Sequence, residues 1–283
     1  MRNYAKITFR ALRIKQWVKN LLVFVAPFAA GVGFTENLIA AVIAFLAFSL
    51  ASSIGYIVND INDVELDRTH PEKRNRPFAS GDLSIRSGYF LLILLALLLP
   101  ITLVNLPHMF KIILALYLLN TYTYTKVLKN IPVVELFSVA IGFVLRLIAG
   151  GVVLNLAISE WFLIVGGFGA LFVVTSKRLG ERKHSGRREV RKVVVEYTIN
   201  FLNLCAAVSV SICLTAYCFW AFSQKADLFW HQISVIPFVM TLFRFLWLSE
   251  GESIEAPEDV ILGDWPLVVL LLCTMLSLTI AIY

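Results

Sequence analysis

Apolar residues run along this chain in long unbroken blocks, not in the alternation of a strand or the one-sided stripe of a soluble helix. A helix needs about 20 consecutive apolar residues to cross a bilayer. Blocks of that kind predict nine membrane-spanning helices, over 20–34, 38–58, 87–104, 109–127, 133–153, 160–176, 194–221, 233–248 and 265–282. The first is short and is expected to begin earlier, as an amphipathic lead-in along RALRIKQWVKN. A membrane barrel would require alternating segments about ten residues long, and continuous runs exclude it. The expected fold is therefore all-α, a polytopic membrane protein with one integral membrane domain over 1–283.

Polar positions refine this picture. Trp17, Trp161, Trp220, Trp230, Trp247 and Trp265 fall at or near predicted helix ends, where an indole sits at the headgroup level. Of the 25 Lys and Arg, 21 lie on one side, in the N-terminal tail and in 68–86, 126–129 and 177–192. The positive-inside rule then puts the N-terminus in the cytoplasm of a multi-pass protein of the cell (inner) membrane. Composition agrees: 59% hydrophobic and 16% charged residues, against about 25% charged in soluble domains. The basic balance reads as topology, and no nucleic-acid partner is expected. No small-residue cleavage site follows the basic N-terminus, so no removable signal peptide is expected. Cys205, Cys213, Cys218 and Cys273 lie within apolar runs without a CxxC pair, as small packing residues do.

The second predicted helix ends in NDINDVELD, residues 59–67. With about 100° per residue, Asp60, Asp63, Asp67 and Asn59 fall on one face and Glu65 on the other. Crowded carboxylates raise each other's pKa unless a cation neutralises them. A donor set of oxygens alone selects a hard cation, and Mg2+ uses one or two carboxylates together with substrate phosphates. A solvated helix end would not align three aspartates, and acids at a helix C-terminus oppose the macrodipole. The cluster is thus a candidate Mg2+-diphosphate grip. Lys73 and Arg76, in the loop that follows, serve either as positive-inside charges or as phosphate clamps. His70 stands before a proline and is given no catalytic role.

The stretch NDINDVELDRTHPEKRNRPFASGDLS resembles the first aspartate-rich motif of the UbiA superfamily of intramembrane prenyltransferases, including its HPxKxxRP continuation. The resemblance implies a UbiA-type bundle of nine helices, with Mg2+ and diphosphate held by Asn59, Asp60, Asp63 and Asp67 on the cytoplasmic side. Tyr122, Lys126 and Lys129 form one helical stripe at the end of the fourth predicted helix. Alone it reads equally as interfacial snorkelling, but the superfamily's YxxxK matches Tyr122 and Lys126 and implies diphosphate contact.

Two ionisable residues lie within the fifth predicted helix. Glu135 and Arg146 share a polar stripe with Ser138, Gly142 and Ala149, and such a stripe faces a bundle interior or a wet cavity. They are about 16 Å apart along the axis. Arg146 therefore needs another anion, either an acidic neighbour or a substrate phosphate.

After the sixth predicted helix most superfamily members carry a second acidic motif of the DxxxD kind. This chain has SKRLGE at 176–181 instead. That departure, with YTKVLKNIPVVEL, GFVLRLIAGG and GESIEAPEDVILGD, resembles the decaprenyl-phosphate phosphoribosyltransferase branch. The implied donor is phosphoribosyl diphosphate and the implied acceptor a membrane polyprenyl phosphate, in cell-wall synthesis. Lys177, Arg178 and Arg146 are candidates for the acceptor phosphate, with Glu135 in the substrate-binding set. Glu258 and Asp259 are expected near a helix N-terminus. The competing readings are a prenyltransferase with an aromatic acceptor, which the missing DxxxD disfavours, and a non-enzymatic transporter. The charges collect at one surface and no internal repeat is visible, which disfavours the latter. The pattern leaves a homo-oligomer open.

Overall fold

A computed structural model describes residues 4–32, 37–69, 73–183, 192–224, 228–251, 260–261 and 263–283. His70, Glu258 and Asp259 lie outside them. The described residues contain helices and no strands. Seven helices among them are long and apolar enough to cross a membrane, and the protein is an integral multi-pass membrane protein. Two of the nine predicted spans differ from expectation. Residues 20–34 do not form one long α-helix: a 3-10 helix, Ile14–Phe24, leads into the five-residue α2 (Val25–Ala29). At about 2.0 Å rise per residue, an eleven-residue 3-10 run spans about 22 Å, more than the same residues would as an α-helix. The fourth predicted span forms α6 (His108–Lys126), which is long enough but ends in the polar run NTYTYTK.

The residues fall into two compact units. The first comprises 1–27, 32–126 and 145–156. It contains α1 (Tyr4–Leu12), the 3-10 helix, α3 (Asn37–Asn62), α4 (Val64–Thr69), α5 (Ile85–Leu103) and α6. The C-terminal part of α7 (Val134–Val153) also belongs to it. Its centre is α3, against which α1, the 3-10 helix, α5 and α6 all pack. Ala41, Ala44, Ala47 and Ala51 make this close approach feasible and are fully buried. Phe48 fills the space they leave, edge-on to Phe110 at 5.8 Å and beside Tyr117 at 5.2 Å. Ser84 starts α5 by accepting a hydrogen bond from Ser87 N at 3.1 Å.

The second unit comprises 28–31, 127–144 and 157–283. It contains α8 (Glu160–Lys183), α9 (Lys192–Glu196), α10 (Ile199–Ser223), α11 (Leu228–Gly251) and α12 (Trp265–Ile282). α8 packs on α10 and α11, and α11 on α12. Phe172 of α8 meets Phe245 of α11 at 5.7 Å over buried Val210 and Leu267. The acidic segment before α12 does supply a helix start, through Asp264. Its carboxylate accepts from Leu267 N at 2.9 Å and pairs with both ends of Arg244, at 3.2 and 2.8 Å. The Arg244 guanidinium holds the Asp264 carboxyl below the usual carboxylate range.

Helix α7 approaches the 3-10 helix so closely that a Cβ on Gly150 would overlap the Val23 carbonyl. A backbone atom cannot yield as a side chain can. Gly150→Ala is expected to cost about 1–3 kcal/mol, read as a lowered thermal denaturation midpoint in detergent. Gly263→Ala, with nothing among the described residues within 4 Å of the added carbon, is the unaffected control.

Candidate functional site

The acidic motif begins in the last turn of α3. Hydrogen bonds from Asp63 N to Asn59 O (2.9 Å) and from Asp67 N to Asp63 O (2.8 Å) carry the helical path past the break at Asp63. Asp60 and Asp67, two turns apart, therefore present their carboxylates to the same side. Both are 2% exposed. Arg76 Nη1 donates to both, to Asp60 Oδ1 at 3.1 Å and to Asp67 Oδ2 at 2.7 Å. The loop that delivers Arg76 is anchored by Phe78, buried in a cluster with Ile57, Val64 and Leu83. A second guanidinium comes from the junction of α1 and the 3-10 helix, where Arg13 Nη2 donates to Asp60 Oδ1 at 2.6 Å. Two buried carboxylates are thus balanced by two guanidiniums through charge-assisted hydrogen bonds.

Glu65 points the other way. Its side chain is 85% exposed and pairs with Arg68 at 2.8 Å, one helical turn along. Asp63 and Asn59 are half-buried. α3 ends at Asn62 and α4 begins at Val64, so Asp63 occupies the junction between them. Among the described residues no three acidic, histidine or cysteine side chains converge as a preformed metal cluster. Lys73 is half-buried at the start of the loop's short 3-10 turn.

The stripe expected of Tyr122, Lys126 and Lys129 is not carried by one helix. α6 stops at Lys126, and Lys129 belongs to a separate 3-10 turn, Leu128–Asn130. The extrapolation failed because Val127 leaves helical geometry, at φ −131°. Tyr122 is exposed on α6.

Arg146 is 6% exposed and lies within the first unit. Its Nε donates to Asn20 Oδ1 at 2.7 Å and its Nη2 to the Tyr117 hydroxyl at 2.9 Å, with the guanidinium 4.5 Å above the Tyr117 ring. Asn20 Nδ2 in turn donates to Ser49 and Ser52 of α3. These neutral partners were not singled out in the sequence. Asn20 carried a usable signal, a lone carboxamide in an apolar stretch. Arg13 carried none, since it resembles every other charge of the basic tail.

In the second unit Glu135 is fully buried and receives a forked pair from Arg178, Nε to Oε1 at 2.7 Å and Nη2 to Oε2 at 2.8 Å. Arg178 Nη1 also donates to Glu181 at 2.7 Å, and Lys177 lies 4.0 Å from Glu181. Glu135 and Arg178, both expected in the substrate-binding set, engage each other here, and together they join the start of α7 to the end of α8. Val133, just ahead of α7, has φ 67° and donates its N–H to the Tyr197 hydroxyl at 2.8 Å.

Removing one partner of a buried pair leaves the other uncompensated. Glu135→Ala is expected to cost about 3–5 kcal/mol, and Glu135→Ala with Arg178→Met to recover much of it. Denaturation midpoints of the two variants in detergent test this.

The model of the UbiA prenyltransferase family matches residues 20–262. The chain is 34% identical to the decaprenyl-phosphate phosphoribosyltransferase of Corynebacterium glutamicum, an alignment covering 100% of this chain and 88% of that protein. It is also 34% identical to the protein of the same name from Mycolicibacterium smegmatis, over 100% of this chain and 94% of that one. A solved UbiA homolog from Archaeoglobus fulgidus, bound to GPP and Mg2+, superposes with a TM-score of 0.71 at 17% identity, covering 98% of this chain and 99% of that one. That likeness establishes a common fold. With the family model spanning most of the length and full-length relatives above 30% identity, the chain belongs to the UbiA prenyltransferase family.

Proposed function

We propose that this protein transfers the 5-phosphoribosyl group of phosphoribosyl diphosphate to a polyprenyl phosphate in the membrane, releasing diphosphate, at the cytoplasmic face of the inner membrane. The observation that carries the reading is the gathering of Asp60 and Asp67 around Arg76 Nη1, at the helix end where the family motif lies. The relatives that match this chain over its whole length bear the name of that activity.

A divalent cation fits these residues. Arg76 Nη1 occupies a place between two buried carboxylate oxygens, so the pair already accommodates positive charge there. The donors are all oxygen, which suits Mg2+. Asp60 and Asp67, with Asp63 from the break beside them, would hold it. When bound, Mg2+ supplies charge neutralisation to the departing diphosphate.

The chain's own residues do the rest. Arg76 and Lys73 take phosphate oxygens of the donor, and Asn59 a further polar contact. Tyr122, Lys126 and Lys129 are assigned to the donor's phosphates, which number more than a prenyl diphosphate carries. Lys177 is the basic group assigned to the acceptor phosphate. Arg146 keeps its bonds to Asn20 and Tyr117 and holds the first unit together. In the reaction the C1–O bond to diphosphate breaks, its electron pair leaving with the diphosphate. A lone pair of the acceptor phosphate forms the new C1–O bond. That oxygen is already anionic at neutral pH, so no general base is needed.

Protein purified in detergent with Mg2+, phosphoribosyl diphosphate and a polyprenyl phosphate should release diphosphate in a lipid-dependent manner. Asp60→Ala and Asp63→Asn should reduce turnover by about 100-fold or more, while Glu65→Gln, altering an exposed surface pair, should leave it near wild type. Turnover of a prenyl diphosphate with an aromatic acid, and none with phosphoribosyl diphosphate, would overturn the reading.

A further inference from the structure

We propose that Arg13 is a positioning residue for the acidic motif: it pins Asp60 through Oδ1, leaving Oδ2 directed to a divalent cation. The inference rests on the metal-dependent transfer proposed above. Both guanidiniums at Asp60 meet the same oxygen, Arg13 Nη2 at 2.6 Å and Arg76 Nη1 at 3.1 Å. Among the described residues no hydrogen bond reaches Oδ2. A carboxylate has about four lone-pair sites, and the two on Oδ1 are taken. The carboxylate of Asp60 is therefore oriented, with one oxygen held by protein and one available to a ligand.

The two arginines are not equivalent. Arg76 divides one nitrogen between Asp60 and Asp67 and comes from a loop rich in basic residues, which suits it to exchange carboxylates for substrate phosphate. Arg13 makes the shorter bond, and among the described residues Asp60 is its only acidic partner. The Arg13 backbone is left-handed, at φ 53° and ψ 48°, a conformation that a residue with a Cβ rarely adopts. The contacts around it impose that conformation. Gln16 N donates to Arg13 O at 2.7 Å. Ser53 Oγ of α3 donates to Leu12 O at 2.8 Å, and Trp17 Nε1 donates to Ser53 Oγ at 3.1 Å. The guanidinium rests 4.8 Å over the ring of Tyr56, one turn before Asp60 on α3. Local strain that its surroundings over-determine is characteristic of functional positions. Ser53 and Tyr56 thus lock Arg13 to the same helix that carries its target.

A plain counter-ion would behave differently. A cation that merely neutralises Asp60 competes with metal, and removing it would tighten metal binding. A residue that orients the ligand oxygen loosens binding when removed.

Two variants separate these cases in the full-length detergent-purified protein. Arg13→Asn keeps a residue that tolerates the left-handed backbone and removes the guanidinium, while Arg13→Lys retains the charge. Mn2+ binding, followed by electron paramagnetic resonance without substrate, reads the site directly. The Mn2+ dissociation constant should rise about 10–100-fold in Arg13→Asn and by an intermediate amount in Arg13→Lys. In diphosphate release, kcat should fall while KM for polyprenyl phosphate stays at its wild-type value. Mn2+ binding in Arg13→Asn as tight as wild type, or tighter, overturns the positioning role while leaving the transfer reading intact. Equal losses in the Lys and Asn variants also overturn it, marking Arg13 as a residue of fold alone. Absence of Mn2+ binding by the wild-type protein overturns the metal-dependent reading itself, and this inference with it.

Discussion

An ionised side chain taken out of water must meet an opposite charge or a dense set of hydrogen bonds, since the desolvation penalty is several kcal/mol per ion. Asp60, Asp67, Glu135, Arg146 and Arg178 are all buried in a chain dominated by apolar residues. Each is answered locally. Asp60 and Asp67 meet Arg13 and Arg76, Glu135 meets Arg178, and Arg146 meets Asn20 and Tyr117. Apolar faces alone would allow these helices to slide or rotate against one another at little cost, as lipid and side chain are equally greasy. A buried charge removes that freedom, because a shifted register would strand it.

The same constraint shapes the candidate site. Two carboxylates drawn to a single guanidinium nitrogen form a place for positive charge, and the protein supplies its own occupant in Arg76. The two carboxylates are thereby compensated, and in the proposed function this is the place that would trade one cation for another. In the proposed exchange Arg13 would give a reference, because its bond to Asp60 comes from a segment other than the loop that carries Arg76. The glutamate that lies between the aspartates in sequence is excluded from all this by helical rotation alone, and pairs with its neighbour Arg68 at the surface.

Several of these features were legible as pattern. Runs of apolar residues marked the long helices because a span needs length and composition more than any particular neighbour. The separation of Asp60 and Asp67 from Glu65 followed from helix geometry and survives the break at Asp63. Where local irregularity intervened, extrapolation failed. Lys129 was assigned to the stripe of α6, and Val127 ends that helix first. The segment 20–34 was expected as a short span with an amphipathic lead-in, and the chain instead passes from a 3-10 helix into a short α-helix. Glu135 was marked as a charge within an apolar helix and is buried there, while its partner had to come from another helix.

By itself, then, the sequence determined an all-helical membrane protein, the family motif and the face of that motif on which its buried aspartates lie. These depend on composition and on periodicity within one helix, which local residues dictate. Only the tertiary structure decided which charges answer one another. Arg178, 43 residues from Glu135, became its partner, and Arg146 found Asn20 at a separation of 126 residues. Arg13 was distinguished from the other basic residues of its tail by a left-handed backbone and a carboxylate 47 residues away. Such pairings are settled by how segments distant in sequence pack together, and no local period records them.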